Sequence, residues 1–370
     1  MPTDAMEKRQ VILVGGGIAG AATAWALAEA GVRRILLLEA AEQPGVHATG
    51  RNAAILRSAI PHPDLHALAR ESVDFYHAPP AGFAPVPLLQ EVGVALTAPA
   101  GTDADALRRW ISQPSMACGG APMAWESLRA RHPYLREEPG EAWFFPREGV
   151  LDVHAILHGF LHRAQQLGAE IRYRQRVTDL LHDGCGVYGV RTAQEEFHAD
   201  AVLLAEGGWA GRLSPEDAHP RFVPHRRHLI VSGADPKIDP SAPVVWNQGS
   251  DEFYFRPESG GLLLSSCDHV PVPAEQGEML DRDVLTMAAE KAMRWLPGLP
   301  DVTAAHAWAG MRTFTDHGGF QIGADLQHRG LFWNAGLGGH GISCAPAVGR
   351  LAARRILEAC PEISGDPVVA

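Results

Sequence analysis

Three stretches of this chain carry residue types at spacings that do chemistry. Gly15-Gly16-Gly17-Ile18-Ala19-Gly20 is a G-x-G-x-x-G run, in which Gly15 allows a tight turn, Gly17 lets the backbone approach a pyrophosphate and Gly20 lets a helix close on a strand. Ile18 and Ala19 open that helix, whose N-terminal amides stabilise phosphate charge. Glu39 follows nineteen residues after Gly20, where a carboxylate can hold a ribose hydroxyl pair. The second stretch is His47-Ala48-Thr49-Gly50-Arg51-Asn52-Ala53-Ala54. Its small residues would let backbone amides reach a flat ring, and Arg51 or Asn52 could donate to phosphate or ring acceptors. The third is Arg312, near the end of the apolar run from His306 to Phe314, a position suited to a bidentate grip on a carboxylate.

The elements that position these residues are legible around the first run. Gln10 to Val14 reads as a strand, Ile18 to Ala30 as a helix and Arg34 to Glu39 as a second strand. Both strands are apolar at successive positions, as in a parallel sheet covered on both faces. Helices are predicted over Pro63 to Tyr76, Val153 to Leu167, Asp281 to Leu296 and Ile342 to Leu357, and many strands between Phe222 and Phe332.

A chain of 370 residues suggests two domains at about 150 residues each, and no internal repeat points to a solenoid. With 46% hydrophobic and 20% charged residues the composition is globular. A net charge of −11 disfavours nucleic acid as a partner. Five cysteines without C-x-x-C spacing read as a reducing, cytoplasmic environment, and no apolar run is long enough for a transmembrane segment. His154, His158 and His162 share a helix face, but no H-E-x-x-H pattern or nearby cysteine accompanies them, so no metal is expected. Ser265 to His269 lacks the G-x-S-x-G context of a hydrolase.

The opening strand–helix–strand, the His47 to Ala54 run, the segment Ala205-Glu206-Gly207-Gly208-Trp209-Ala210 and the Gly-rich Gly336 to Gly341 together resemble the D-amino-acid oxidase-like flavoprotein family. Among its members the FAD-dependent D-arginine dehydrogenases are the most similar, over nearly the whole chain. The resemblance implies an α/β protein with a Rossmann-like FAD-binding domain (1–84, 149–220 and 319–370) and an α+β substrate domain on a mixed sheet (85–148 and 221–318). It implies FAD contacts from Glu39 and Ala40, from His47 and Thr49 through Ala54, from the backbone of Val177, from Ala205, Gly207 and Trp209, and from Arg312. Gly336, Leu337, Gly338, Gly339, His340, Gly341 and Ile342 would approach the pyrimidine side of the ring.

On the substrate side the resemblance implies Arg312 at the carboxylate, Tyr254 over the substrate, Gly339 beside it, and one of Arg226 and Arg227 in reach, with Arg226 taken as the contact. His47 and His340 are candidates to assist proton transfer. Where the D-arginine dehydrogenases carry polar residues, this chain has Ile55, Leu56 and Arg57, and Glu91 is a poorly aligned counterpart of their acidic residue. A basic substrate is therefore disfavoured, and Arg57 pointing inward would favour a second anionic group. The implied reaction is oxidation of an α-amino acid, of D configuration, to the imine and then to keto acid and ammonia. A secondary amine or a 2-hydroxy acid would suit the same clamp, and a noncatalytic flavin-binding subunit is the rival from another class. The motifs leave the electron acceptor open between oxygen and a quinone or carrier.

Overall fold

A computed structural model of the chain describes residues 8–113, 119–215, 220–300 and 304–363. It is a mixed α/β structure built on two large sheets. Strand Arg9–Val14 lies between two parallel neighbours, Ile35–Leu38 and Glu196–Leu204. Val11 and Leu13 pack into the apolar cluster on one face of this sheet, and Ile12 and Val14 into the cluster on the other. That two-sided burial is why the strand is apolar at every position. Strand Glu196–Leu204 changes partners along its length. Residues 196–198 run antiparallel to 189–191, while 202–204 run parallel to 331–333.

Helix Ile18–Glu29 is buried from Ile18 to Ala28, and Ala at six of its twelve positions lets neighbouring helices come close. Helix Val153–Gln166 starts where Asp152 accepts a hydrogen bond from the Ala155 amide at 2.8 Å, a side-chain N-cap. The last helix is Ala345–Ala359 rather than Ile342 to Leu357. Pro346 sits in its first turn, where a missing amide hydrogen costs nothing, and residues 340–344 form a separate turn.

The second sheet has nine strands and is mixed, since Val244–Asn247 runs parallel to Val94–Pro99 while its other pairs are antiparallel. Strands Phe222–Ser232 and Ala304–Thr315 pair along almost their full length, with Arg227 opposite Gly310 and His225 opposite Arg312. Alternation in strand Phe253–Glu258 divides its aromatics: Tyr254 joins Leu229 and Trp246 in one cluster, while Phe253 and Phe255 pack with Trp125 and Trp295 in another. All strands of the first sheet lie within residues 9–14, 35–38, 170–204 and 321–335, and those of the second within 94–145 and 222–315. A three-stranded sheet of Ile55–Leu56, Gly149–Leu151 and Leu89–Gln90 links them.

Among the described residues Cys185, Cys267, Cys344 and Cys360 are unbridged, and Cys118 lies outside the described residues. No described helix is long and apolar enough to cross a membrane.

Candidate active site

The first turn is shaped by close backbone packing. Gly15 has φ +112°, and a Cβ there would lie 2.4 Å from the Ala205 carbonyl oxygen. A Cβ on Gly20 would lie 2.0 Å from the Gly15 oxygen, so only glycine lets the helix close on the turn. Glu39 Oε2 accepts from the Gly16 amide at 2.6 Å and Oε1 from the Ala41 amide at 2.7 Å. The segment leading to Val177 is tied to the same place, with Arg174 N to Ala41 O at 2.9 Å and Gln175 N to Glu39 O at 2.8 Å. Glu39, exposed Ala40 and Val177 thus gather beside the helix N-terminus.

The His47 to Ala54 run folds as a series of turns. Thr49 Oγ1 accepts from the Ile18 amide at 3.0 Å, fastening the run to the helix start. Asn52 was expected as a donor to the cofactor, but its amide nitrogen binds Thr49 O and its oxygen accepts from the Ala54 amide at 2.5 Å. It therefore holds Ala54 at φ +57°. Arg51 borders a large cleft, its Nε 3.2 Å from Glu278 Oε2. His47 is corrected as a candidate catalytic group. It is exposed, bonds Glu278 Oε1 at 2.9 Å, packs edge-on to Trp209 at 4.5 Å and does not border the cleft. Gly50 faces an adjoining groove beside helix Val153–Gln166.

The cleft encloses about 1050 Å³ of non-atom space, its open mouth included. Its walls are residues 17–19, 48–49, 51–55, Ala205, Gly207, 310–313 and 334–343 except His340, closed by Arg227, Leu229, Trp246 and Tyr254. Gly15 and Gly20 act beneath that wall. Thr313 straps the loops together, its Oγ1 donating to Gly207 O at 3.0 Å and its carbonyl accepting from Gly338 N at 2.9 Å. A helix N-terminus, a carboxylate at ribose distance in sequence and glycine- and alanine-lined walls suit an adenine dinucleotide with a flat ring. The residues present fit FAD.

Arginines dominate the other part of the cleft. Arg312 forms no ion pair with any described residue. Its guanidinium packs against Gly339, where a Cβ would come 2.8 Å from Arg312 Nε; Gly339 itself has φ +86°. The structure corrects the choice between the paired arginines. Arg226 turns away from the cleft to bind Asp281 at 2.7 Å, whereas Arg227 borders the cleft, buried, with Nε and Nη1 unpartnered. Strand alternation explains this, because Arg227 shares a face with Leu229, another wall residue. Tyr254 is buried beside them, and burial raises its phenol above its ordinary value. Ile55 borders the cleft, its carbonyl accepting from Ser343 Oγ at 3.0 Å. Glu91 is exposed and paired with His77 at 3.1 Å, away from the cleft.

His340 stands behind the wall. Removal from water, reinforced by Arg57, Arg312 and Arg227, pushes its pKa down to about 3, so it is neutral at ordinary pH and cannot retain a proton. Trp246, which motif reading missed, is fixed by Nε1 donating to Glu252 Oε1 at 2.9 Å and packs on Tyr254 at 4.4 Å. Of the decoys, His154 packs at a tilt on His158, ring centres 4.2 Å apart, and Asp268 binds His228 Nδ1 at 2.8 Å inside the core.

Glu206 lies between cleft residues Ala205 and Gly207. Burial raises its pKa to about 8, and Oε2 has no hydrogen-bond partner. Burial likewise raises Glu148 to about 7. The folded chain keeps these protons over a pH range where the unfolded chain, at about 4.5, has lost them. Their contribution is therefore present below pH 4.5 and lost as pH rises through 7 and 8. Glu206→Gln should match wild type at pH 5 and melt about 2 °C or more above it at pH 9. Equal melting temperatures at pH 9 would contradict the buried, protonated carboxyl.

The family described as DAO, FAD dependent oxidoreductase, matches residues 10–355. Glycine oxidase of Pseudomonas aeruginosa is 29% identical, with 93% of each chain covered. The 4-methylaminobutanoate oxidase (formaldehyde-forming) of Paenarthrobacter nicotinovorans is 24% identical over 97% of this chain, which spans only 45% of that relative's length. L-proline dehydrogenase from P. horikoshii shares the fold, with a TM-score of 0.85 at 20% identity over 95% of this chain and 94% of the other. The turn, the cleft and the match across residues 10–355 lead to one assignment: the chain belongs to the FAD dependent oxidoreductase (DAO) family, and FAD is its cofactor.

Proposed function

We propose that the chain oxidises the carbon–nitrogen bond of a small α-amino acid, primary or N-alkylated, with the α-carboxylate held by Arg312 and Arg227. The observation that carries this reading is the pair of guanidinium groups on neighbouring strands, both bordering the cleft and neither ion-paired to a described carboxylate. Such charges in a water-poor site call for an anionic ligand. Relatives named for glycine and for an N-methylated amine support an amine substrate, and the D configuration rests on the resemblance to the D-amino-acid oxidase-like flavoproteins. The division into cofactor segments (1–84, 149–220, 319–370) and substrate segments (85–148, 221–318) is supported by the way the two large sheets draw their strands.

FAD, when bound, supplies the two-electron acceptor that takes the hydride from Cα. Arg312 and Arg227 fix the carboxylate and so the direction of the Cα–H bond. Their positive field also disfavours the ammonium form of a bound amine, which leaves the nitrogen lone pair free to form the C=N bond. Tyr254, Trp246 and Leu229 keep water from the reacting carbon. The imine hydrolyses to the oxo acid and to ammonia or a primary amine. A 2-hydroxy acid would instead need a base for its hydroxyl proton; His340, pushed down to about 3, holds a proton too weakly to take that part, and His47 is exposed and engaged by Glu278. Turnover of glycine, N-methylglycine, D-alanine, glycolate and lactate with a dye acceptor tests the reading. One ammonia or amine released per dye reduced, with the hydroxy acids inert, is the expected result. Faster oxidation of glycolate or lactate would overturn it.

A further inference from the structure

The carboxylate clamp leaves one arginine unexplained. Arg57 is only 6% exposed and stands behind the cleft wall, its guanidinium 4.4 Å from the centre of the ring of Trp246, which lines the cleft. Its Nε is engaged by Ala59 O at 2.9 Å, but no described carboxylate forms an ion pair with it. It is near enough to the clamp that Arg57, Arg312 and Arg227 all depress His340.

Three acidic groups face this cluster, of which Asp268, acting on Arg227, is already bound to His228 Nδ1 at 2.8 Å. Glu252 is occupied by the Trp246 indole and is shared electrostatically among Arg57, Arg227 and Arg312. Glu148 is held by Ser58, N at 2.8 Å and Oγ at 2.6 Å, with its pKa raised to about 7. Three guanidinium groups therefore outnumber the carboxylates free to answer them, since Glu252 is held by the Trp246 indole, Asp268 by His228, and Glu148 titrates near neutrality. An α-carboxylate balances part of that excess, and a second anion is needed for the rest. With Nε engaged and one face against an indole, the terminal edge of a planar guanidinium is suited to a carboxylate's two oxygens.

We propose that Arg57 heads a second anion subsite, so that the preferred substrates are amino or imino acids bearing a second carboxylate. This rests on the amine-oxidation reading for its chemistry but not for its binding, and two measurements separate them. Titration of the FAD-bound protein with succinate and with butanoate, followed by perturbation of the flavin band, reads the subsite alone. Anaerobic reduction by aspartate, glutamate and N-(carboxymethyl)glycine, against alanine, glycine and N-methylglycine, reads the chemistry.

Succinate should bind wild type at least about tenfold more tightly than butanoate. Arg57→Gln should abolish that preference while leaving butanoate within about threefold, and Arg57→Lys should keep part of it. Equal wild-type affinities, or equal losses for both ligands in Arg57→Gln, would overturn the proposal. The wild-type ratio decides even if the Gln variant does not fold. A succinate preference without reduction by any amine would keep the subsite and refute amine oxidation. Reduction by amines without a dicarboxylate preference would do the reverse.

Discussion

Arg312→Met should lower kcat/KM for amino acids by about 30- to 5000-fold, since truncating one member of a buried, hydrogen-bonded charge pair costs about 2–5 kcal/mol. The loss should fall mainly on KM, because the guanidinium holds the carboxylate before and during reaction alike. The flavin band should persist, as the dinucleotide turn lies in another part of the chain. Arg312→Lys should recover part of the loss, since an ammonium supplies charge without the planar fork. Steady-state kinetics on the FAD-bound variants checks this, and a change below about threefold would remove Arg312 from the substrate.

Gly20→Ala should deprive the chain of its cofactor. The added Cβ would stand 2.0 Å from the Gly15 carbonyl oxygen, a backbone atom with no rotamer to escape into. Helix Ile18–Glu29 would have to move off the turn, withdrawing its N-terminal amides from a pyrophosphate. Overpacking of this kind destabilises by about 1–3 kcal/mol. The variant should purify colourless or with FAD affinity reduced about 100-fold or more, a loss of about 2.7 kcal/mol in binding. Gly184→Ala, at a position with nothing within 4 Å, is the control that should stay yellow. Equal FAD content in the two would contradict the role given to Gly20.

The dinucleotide half was legible because each local signal agreed with the next. Continuous apolar strands, a glycine turn and an Ala-rich helix all require the same parallel unit, and strand Arg9–Val14 and helix Ile18–Glu29 lie within one residue of their predicted bounds. The last helix was misread at its start because periodicity runs through Ile342 and Cys344, while Pro346 sets the first turn at Ala345. Arg226 and Arg227 were separable by alternation once Leu229 was known to face the cleft, but the sequence marks neither strand face as the wall. The Glu278 bridge to His47 and Arg51 was not legible, since it joins positions 231 and 227 residues apart through a loop without motif. Trp246 was hidden for a similar reason: an indole in an apolar strand reads as core until Arg57 and Glu252 are seen on it. Arg57 was visible in sequence only as a departure from a resemblance, and its burial against the cleft wall is what gives that departure meaning.

The most direct test of the central claim is the anaerobic visible spectrum of the FAD-bound chain during addition of D- and L-amino acids, N-methyl amino acids and 2-hydroxy acids. Bleaching of the flavin band by α-amino acids, requiring far higher concentrations in Arg312→Met and absent with the hydroxy acids, is the predicted result. A band that the hydroxy acids bleach and the amino acids do not would contradict the account.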